Sequence, residues 1–226
     1  MTGNWKSVLR LEKNKSGRDF VCGDIHGCFD ELEAKLKEIR FNKTFDRLFS
    51  VGDLIDRGPR SELATYYMTR HWFHSVMGNH ENLFLMGHLD FPGREKYIEA
   101  HIKNGGAWAY EKLDAEKGNA LIEAIDNLPL IIQVDDTIIV HAALPAVGSL
   151  EEIEKNPTTY LDTTLWYREA YPPVIIPGIN RVFVGHTIVN EPIQYGKTIN
   201  IDTGACRKYR GDKSGKLTIM EIGEKI

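Results

Sequence analysis

The stretch Arg47-Leu48-Phe49-Ser50-Val51-Gly52-Asp53 decides how this chain is read. Five residues of the kind that pack as a short buried strand are closed by a glycine and then a carboxylate. The pattern recurs along the sequence. Asp19-Phe20-Val21-Cys22 runs into Gly23-Asp24-Ile25-His26-Gly27, and the run from Trp72 to Met77 enters Gly78-Asn79-His80-Glu81. Ile138-Ile139-Val140 ends at His141, and Arg181-Val182-Phe183-Val184 ends at Gly185-His186. Between the early runs, Phe29, Leu32, Leu36 and Ile39 repeat at three and four, one face of an amphipathic helix. Asp30 is expected as its N-cap, with Glu33 completing a capping box. A second helix is expected from Ser61, just past Pro59. Strands alternating with helices predict an α/β fold.

Farther on, the periodicity changes. Residues 129–141, PLIIQVDDTIIVH, read as two strands around an Asp135-Asp136 turn, and residues 216–222, KLTIMEI, alternate. Antiparallel strands are therefore expected to join the sheet. The segment from about 87 to 127 carries only weaker helical patterns (Tyr97 to Ile102, Ala107 to Leu113, Ala120 to Ile125) and is expected to be a helical insertion capping the site. No linker or repeat divides the chain, so residues 1–226 are expected to form a single domain.

In an α/β sheet, groups at the carboxyl ends of strands converge on one crevice. Here those groups are Asp24, His26, Asp53, Asn79, His80, His141 and His186. They form an oxygen and imidazole set without thiolate, which suits Mn, Fe or Zn better than Ca or an all-oxygen Mg site. Asp24 and His26 can hold one divalent ion, and Asp53, with two carboxylate oxygens, can bridge to a second held by Asn79, His141 and His186. Two ions ~3.5–4 Å apart can clamp a phosphoryl group and make a bound hydroxide nucleophilic at neutral pH. Arg57 follows closely, and its planar fork suits phosphate. His80 is placed to act as general acid for a departing oxygen, with Asp56 holding its imidazole in the required tautomer. The other histidines, His71, His74, His88 and His101, read as ordinary structure.

Gly23-Asp24-Ile25-His26-Gly27, Gly52-Asp53-Leu54-Ile55-Asp56-Arg57-Gly58 and Gly78-Asn79-His80-Glu81 together resemble the three signature motifs of the phosphoprotein phosphatase family of metallophosphoesterases, in its bacterial and bacteriophage branch. Weaker matches at Val140-His141-Ala142, Leu165-Trp166-Tyr167-Arg168-Glu169 and Gly185-His186-Thr187 extend the resemblance over roughly residues 20 to 205. It implies a calcineurin-like β-sandwich flanked by helices and a centre of two divalent metal ions, manganese first among them. Asp24, His26 and Asp53 match the positions holding one ion, and Asp53, Asn79, His141 and His186 those holding the other. His80 and Asp56 match the proton donor and its partner, Arg57 the first phosphate ligand. Arg168 enters as a second phosphate ligand through the resemblance alone.

The implied function is hydrolysis of phosphomonoesters, including phosphoserine and phosphothreonine in proteins. Symmetric dinucleoside tetraphosphate hydrolysis and nucleotide phosphodiesterase activity are the alternatives. The first is opposed by Asp56 and by Glu81, where that group typically has no Asp and ends its third motif in Asp. A binding scaffold without catalysis would need lost ligands, and all six are present. One departure from the family is Met77, where close relatives usually carry Arg. It reads either as packing under the loop or as a site with one cation fewer, less demanding of a dianionic monoester.

Composition narrows the field further. With 28 Lys and Arg against 32 Asp and Glu, the net charge is -4, so the chain lacks the basic excess of a sequence-blind nucleic-acid binder. No apolar run approaches the ~18 residues of a membrane span. Three cysteines and the lack of a signal-peptide core point to a reducing cytoplasm.

Overall fold

The structure, a computed structural model, describes residues 7–224. Its ten strands form two mixed sheets. The strands are β1 (Val8–Leu11), β2 (Asp19–Cys22), β3 (Arg47–Ser50), β4 (Phe73–Ser75), β5 (Ile131–Val134), β6 (Thr137–Val140), β7 (Arg181–Val184), β8 (Ile193–Tyr195), β9 (Thr198–Asn200) and β10 (Ile219–Glu221). One sheet has the order β10-β2-β3-β4, the other β1-β5-β6-β7-β9-β8. In the first, β2, β3 and β4 run parallel and β10 antiparallel. In the second, β6, β7 and β9 run parallel, and β5 pairs antiparallel with β6 through the Asp135-Asp136 turn.

Side-chain alternation explains why two sheets form. Val21, Phe49, Ile139, Phe183 and Ile199 point into one fully apolar layer shared by both sheets. Their neighbours Phe20, Leu48, Ile138 and Val182 point the other way and pack in the larger core with the helices. Strands apolar on both faces need cover on both faces, which a sandwich with helices outside supplies. Fully burying a side chain such as Phe49 or Phe183 contributes about 2–3 kcal/mol each.

The helices are α1 (Phe29–Glu38), α2 (Ala64–Met68), α3 (Asn79–His88), α4 (Glu95–His101), α5 (Ala107–Lys112), α6 (Ala115–Asp126), α7 (Leu150–Lys155) and α8 (Leu161–Trp166). Helix α1 buries Phe29, Leu32 and Leu36 in the larger core, as its periodicity predicts. Its start differs from expectation. Cys28 occupies the N-cap without a side-chain bond, and Asp30 lies in the first turn, where its charge faces the positive helix end. Glu33 instead accepts hydrogen bonds from Tyr67 and Lys43. The segment expected as an insertion holds α4, α5 and α6 with a π turn at Ile102–Gly106, separated by non-helical stretches at 89–94 and 113–114. Among the described residues no helix is long and apolar enough to cross a membrane.

Candidate metal centre

Six parallel strands deliver residues to one end of the sandwich. Asp24 and His26 follow β2, Asp53 and Asp56 follow β3, and Asn79 and His80 open α3 just beyond β4. From the other sheet come His141 after β6, His186 after β7 and Asp202 after β9. Backbone bonds lock these loops together. The N–H groups of Ile25 and His26 donate to the Asp53 carbonyl (3.1 and 2.7 Å), and that of Gly185 donates to the His141 carbonyl (2.8 Å).

The loops approach so closely that several of their glycine positions admit no side chain. A Cβ on Gly78 would sit 2.2 Å from Asp53 Oδ1, and one on Gly52 2.7 Å from the Gly78 nitrogen. Strain concentrates in the same place. Positive φ angles occur at His26 (44°), Asp53 (50°), Asp56 (72°), Arg57 (67°) and His186 (66°), five of the seven such non-glycine residues described. Each costs of order 1–2 kcal/mol, and a fold holds such residues only where surrounding contacts fix them.

Glu81 does much of the fixing. Its carboxylate accepts hydrogen bonds from the N–H groups of Asp53 (2.8 Å), Leu54 (2.8 Å), Ile55 (3.2 Å) and Gly78 (2.9 Å). It therefore ties the second motif to the third and is spent on backbone rather than on a substrate. Burial and the nearby Asp53 charge push its carboxyl up to about 7.

Two groups of potential ligand atoms share Asp53: His26, Asp53 and His80, and Asp53, His141 and His186, each with its atoms within 4.8 Å of one another. In the first, Asp53 Oδ2 lies 3.4 Å from His26 Nε2 and 3.8 Å from His80 Nε2. In the second, Asp53 Oδ1 lies 3.5 Å from His141 Nε2, and Asn79 Oδ1 lies 2.9 Å from both His141 Nε2 and His186 Nδ1. Asp24 joins neither group. Its two oxygens each accept from the His186 N–H at 3.2 Å. Burial together with the charges of Asp202 and Asp53 raises its carboxyl well above the usual range.

The imidazoles are set up to accept a cation. His26 Nδ1 donates to the Ile55 carbonyl and His141 Nδ1 to the Val51 carbonyl, both at 2.8 Å. With those protons placed, each Nε2 lone pair faces the crevice, the arrangement found for metal-ligating histidines. Burial lowers His26 and His186 to about 3 and lowers His141, favouring the neutral form in each. His80 Nε2 and His186 Nε2 are buried without any hydrogen-bond partner. Such orphans are costly unless something absent from the protein chain satisfies them. A donor set of neutral imidazole, carboxylate and amide oxygen fits a borderline divalent ion.

His80 is turned the other way. Its Nδ1 lies 2.6 Å from Asp56 Oδ2, and both residues are fully buried. Burial opposes its charged form, yet the Asp53 charge and the Asp56 hydrogen bond raise its pKa. Asp56 is a hub. Beyond His80, its carboxylate accepts from His101 Nε2 (3.0 Å) and Trp108 Nε1 (2.7 Å). Burial would raise the Asp56 carboxyl, but the bonds from His101 and His80 hold it down at about 2. Reading His101 as ordinary structure therefore missed its contact, as did the silence on Trp108. Neither has a strand-end motif to announce it.

Asp202 was missed too, although its signal was present: Thr198-Ile199-Asn200-Ile201-Asp202 repeats the apolar-run-then-carboxylate pattern. It is buried, and its Oδ1 accepts from the Gly204 N–H at 2.9 Å. Of the arginines, Arg57 reaches the cluster, with Nη1 2.7 Å from His26 Nε2, and Arg168 lies beside it, with Nη1 3.4 Å from the His186 carbonyl. Met77 lies in the hydrophobic core at 1% exposure.

A sandwich whose parallel strand ends gather carboxylates and imidazoles around one shared aspartate is the setting of a metal-dependent phosphoesterase. The chain belongs to the calcineurin-like phosphoesterase family, whose model matches residues 20–202. It is 34% identical over 222 residues to serine/threonine-protein phosphatase 1 of Salmonella typhimurium, covering 94% of this chain and 95% of that protein. It is also 30% identical over 231 residues to the asymmetrical bis(5'-nucleosyl)-tetraphosphatase of Oceanobacillus iheyensis, covering 91% of this chain and 88% of that one. Among solved structures, a protein serine/threonine phosphatase from Saccharomyces cerevisiae matches with a TM-score of 0.68 at 18% identity, over 96% of this chain and 84% of that one. That last likeness is one of fold.

Proposed function

We propose that the chain hydrolyses phosphomonoesters, with phosphoserine and phosphothreonine in proteins as its substrate class. The observation that carries this is His80, clamped by Asp56 at 2.6 Å with its unpartnered Nε2 beside the Asp53 cluster. Asp24, His26 and Asp53 would hold one divalent ion, and Asp53, Asn79, His141 and His186 a second, with Mn2+ the best suited. When bound, such ions offset charge on the phosphoryl oxygens and activate water for attack. Arg57 and Arg168 orient the phosphoryl group through charge-assisted hydrogen bonds. His80 gives its Nε2 proton to the departing oxygen, while Asp56 fixes the ring and stabilises its imidazolium. The unpaired cysteines Cys22, Cys28 and Cys206 accord with work in a reducing cytoplasm.

The full-length likeness to the Salmonella phosphatase supports the protein substrate. A second reading, hydrolysis of dinucleoside tetraphosphates, is supported by the likeness to the Oceanobacillus enzyme over nearly its whole length. Glu81 no longer weighs against it, because that side chain is engaged with backbone. The test is a comparison of kcat/KM, with Mn2+ added, for a phosphothreonine peptide, p-nitrophenyl phosphate, its bis-ester and diadenosine tetraphosphate. The phosphopeptide is expected to be turned over best. A clear preference for diadenosine tetraphosphate transfers the assignment to the second reading.

A further inference from the structure

Beside the metal centre lies a cleft of about 420 Å³ walled by Arg57, Lys103, Asn104, Trp108 and Arg210. Three of these carry positive charge, and no carboxylate lines the cleft. That is unexpected in a chain of net charge -4. Among the described residues, Lys103 and Arg210 make no ion pair, whereas neighbouring Arg207 pairs with Asp212 and Lys208 with Glu31.

Position gives the charges a use. The cleft shares Arg57 with the metal centre, where Nη1 of that residue lies 2.7 Å from His26 Nε2. It shares Trp108 with the proton donor, since Trp108 Nε1 donates to the Asp56 that holds His80. The π turn Ile102–Gly106 closes the wall. Gly105, at φ 105°, lies so near Arg57 that a Cβ there would be 3.1 Å from Arg57 Cγ. Arg57, read as a ligand of the scissile phosphoryl, forms one wall of the cleft, so a second anionic group next to that phosphoryl would meet Lys103 and Arg210.

We infer that this cleft is a subsite that selects phosphoesters carrying a second anionic group next to the scissile phosphoryl. The inference rests on the phosphoesterase reading and adds a substrate class to it. The second anion can be a carboxylate of an acidic phosphopeptide or a further phosphate of a polyphosphate, and both meet the same cations. Exposed cations of this kind contribute modestly one by one, and their effect is screened by salt.

The test compares the wild type with Lys103→Ala/Arg210→Ala, both loaded with Mn2+ at low ionic strength. The substrates are a phosphothreonine peptide flanked by glutamates, the same peptide with glutamines, diadenosine tetraphosphate and p-nitrophenyl phosphate. The double variant is expected to lower the glutamate-to-glutamine ratio of kcat/KM, or the tetraphosphate-to-p-nitrophenyl ratio, by about three- to tenfold. Which ratio falls identifies the source of the anion, and the fall should shrink at ~0.5 M salt. If neither ratio moves while the variant keeps the wild-type melting temperature, the subsite does not exist. Failure of the wild type to hydrolyse even p-nitrophenyl phosphate would instead defeat the phosphoesterase reading.

Discussion

His101 and His80 share one carboxylate. His101, on α4, donates Nε2–H to Asp56 at 3.0 Å, while His80, on α3, bonds the same group at 2.6 Å. The far side of the His101 ring meets the Tyr110 hydroxyl at 3.1 Å, and Gly106 lies so close that a Cβ there would touch the ring at 2.2 Å. The helical segment thus holds the partner of the proton donor from behind. Replacing His101 by Leu removes one of three donors to Asp56 and should lower kcat about tenfold. The loss should be larger for alkyl phosphates than for p-nitrophenyl phosphate, whose leaving group needs little protonation. His101→Gln, which can return an N–H, should recover most of it. Equal losses on both substrates would mean that His101 is only packing.

Glu81 joins two motifs through four backbone N–H groups. Glu81→Gln keeps the shape but replaces one acceptor oxygen by a donor, facing N–H against N–H. Leaving buried donors unsatisfied costs about 1–3 kcal/mol. For a chain of this size that is a fall in Tm of about 5 °C, measurable by calorimetry of the metal-free protein. An unchanged Tm would mean that the loops hold themselves.

Asp53 belongs to both groups of ligand atoms, whereas Asp24 belongs to neither and is held by the His186 N–H. Asp53→Asn should therefore lose more bound metal than Asp24→Asn, measured by elemental analysis after gel filtration. Full two-metal occupancy in an inactive Asp53→Asn variant would remove the bridging role.

His74 supplies a pH dependence away from the site. Burial lowers it to about 4, and its ring stacks on Phe49 with centroids 5.2 Å apart. An unfolded histidine titrates near ~6.5, so between pH 6.5 and 4 the unfolded chain takes up the proton that the folded one refuses. The stability contribution is complete above ~6.5 and is lost as pH falls through about 4. His74→Phe should flatten the fall in urea stability over that window by up to about 2 kcal/mol. Parallel curves for the two proteins would show that His74 is protonated without penalty.

The strands carrying the site were legible because each is a short apolar run closed by Gly-Asp, Gly-Asn or His, a pattern set by local chemistry. The gathering of Asp24, Asp53, Asn79 and His141 at one end follows from parallel direction alone. Less legible was what depends on distant partners. Val8-Leu9-Arg10-Leu11 is too short and polar to announce a strand, and becomes one only by pairing with Ile131–Val134. The same holds for β8, an exposed edge strand defined by its neighbour β9. His101 and Trp108 approach Asp56 only through the folding of the helical segment, so no spacing in the sequence marks them. Met77 is buried in the core, and neither reading of it could be drawn from spacing alone.

The central claim, that the shared-Asp53 cluster is a two-metal phosphoesterase centre, is tested most directly by metal titration. The protein is stripped with a chelator, Mn2+ is returned in steps, and bound metal and p-nitrophenyl phosphate hydrolysis are followed together. Activity should be absent from the stripped protein and rise as the second equivalent binds. Full hydrolysis by the stripped protein, or saturation of activity at one ion per chain, would contradict it.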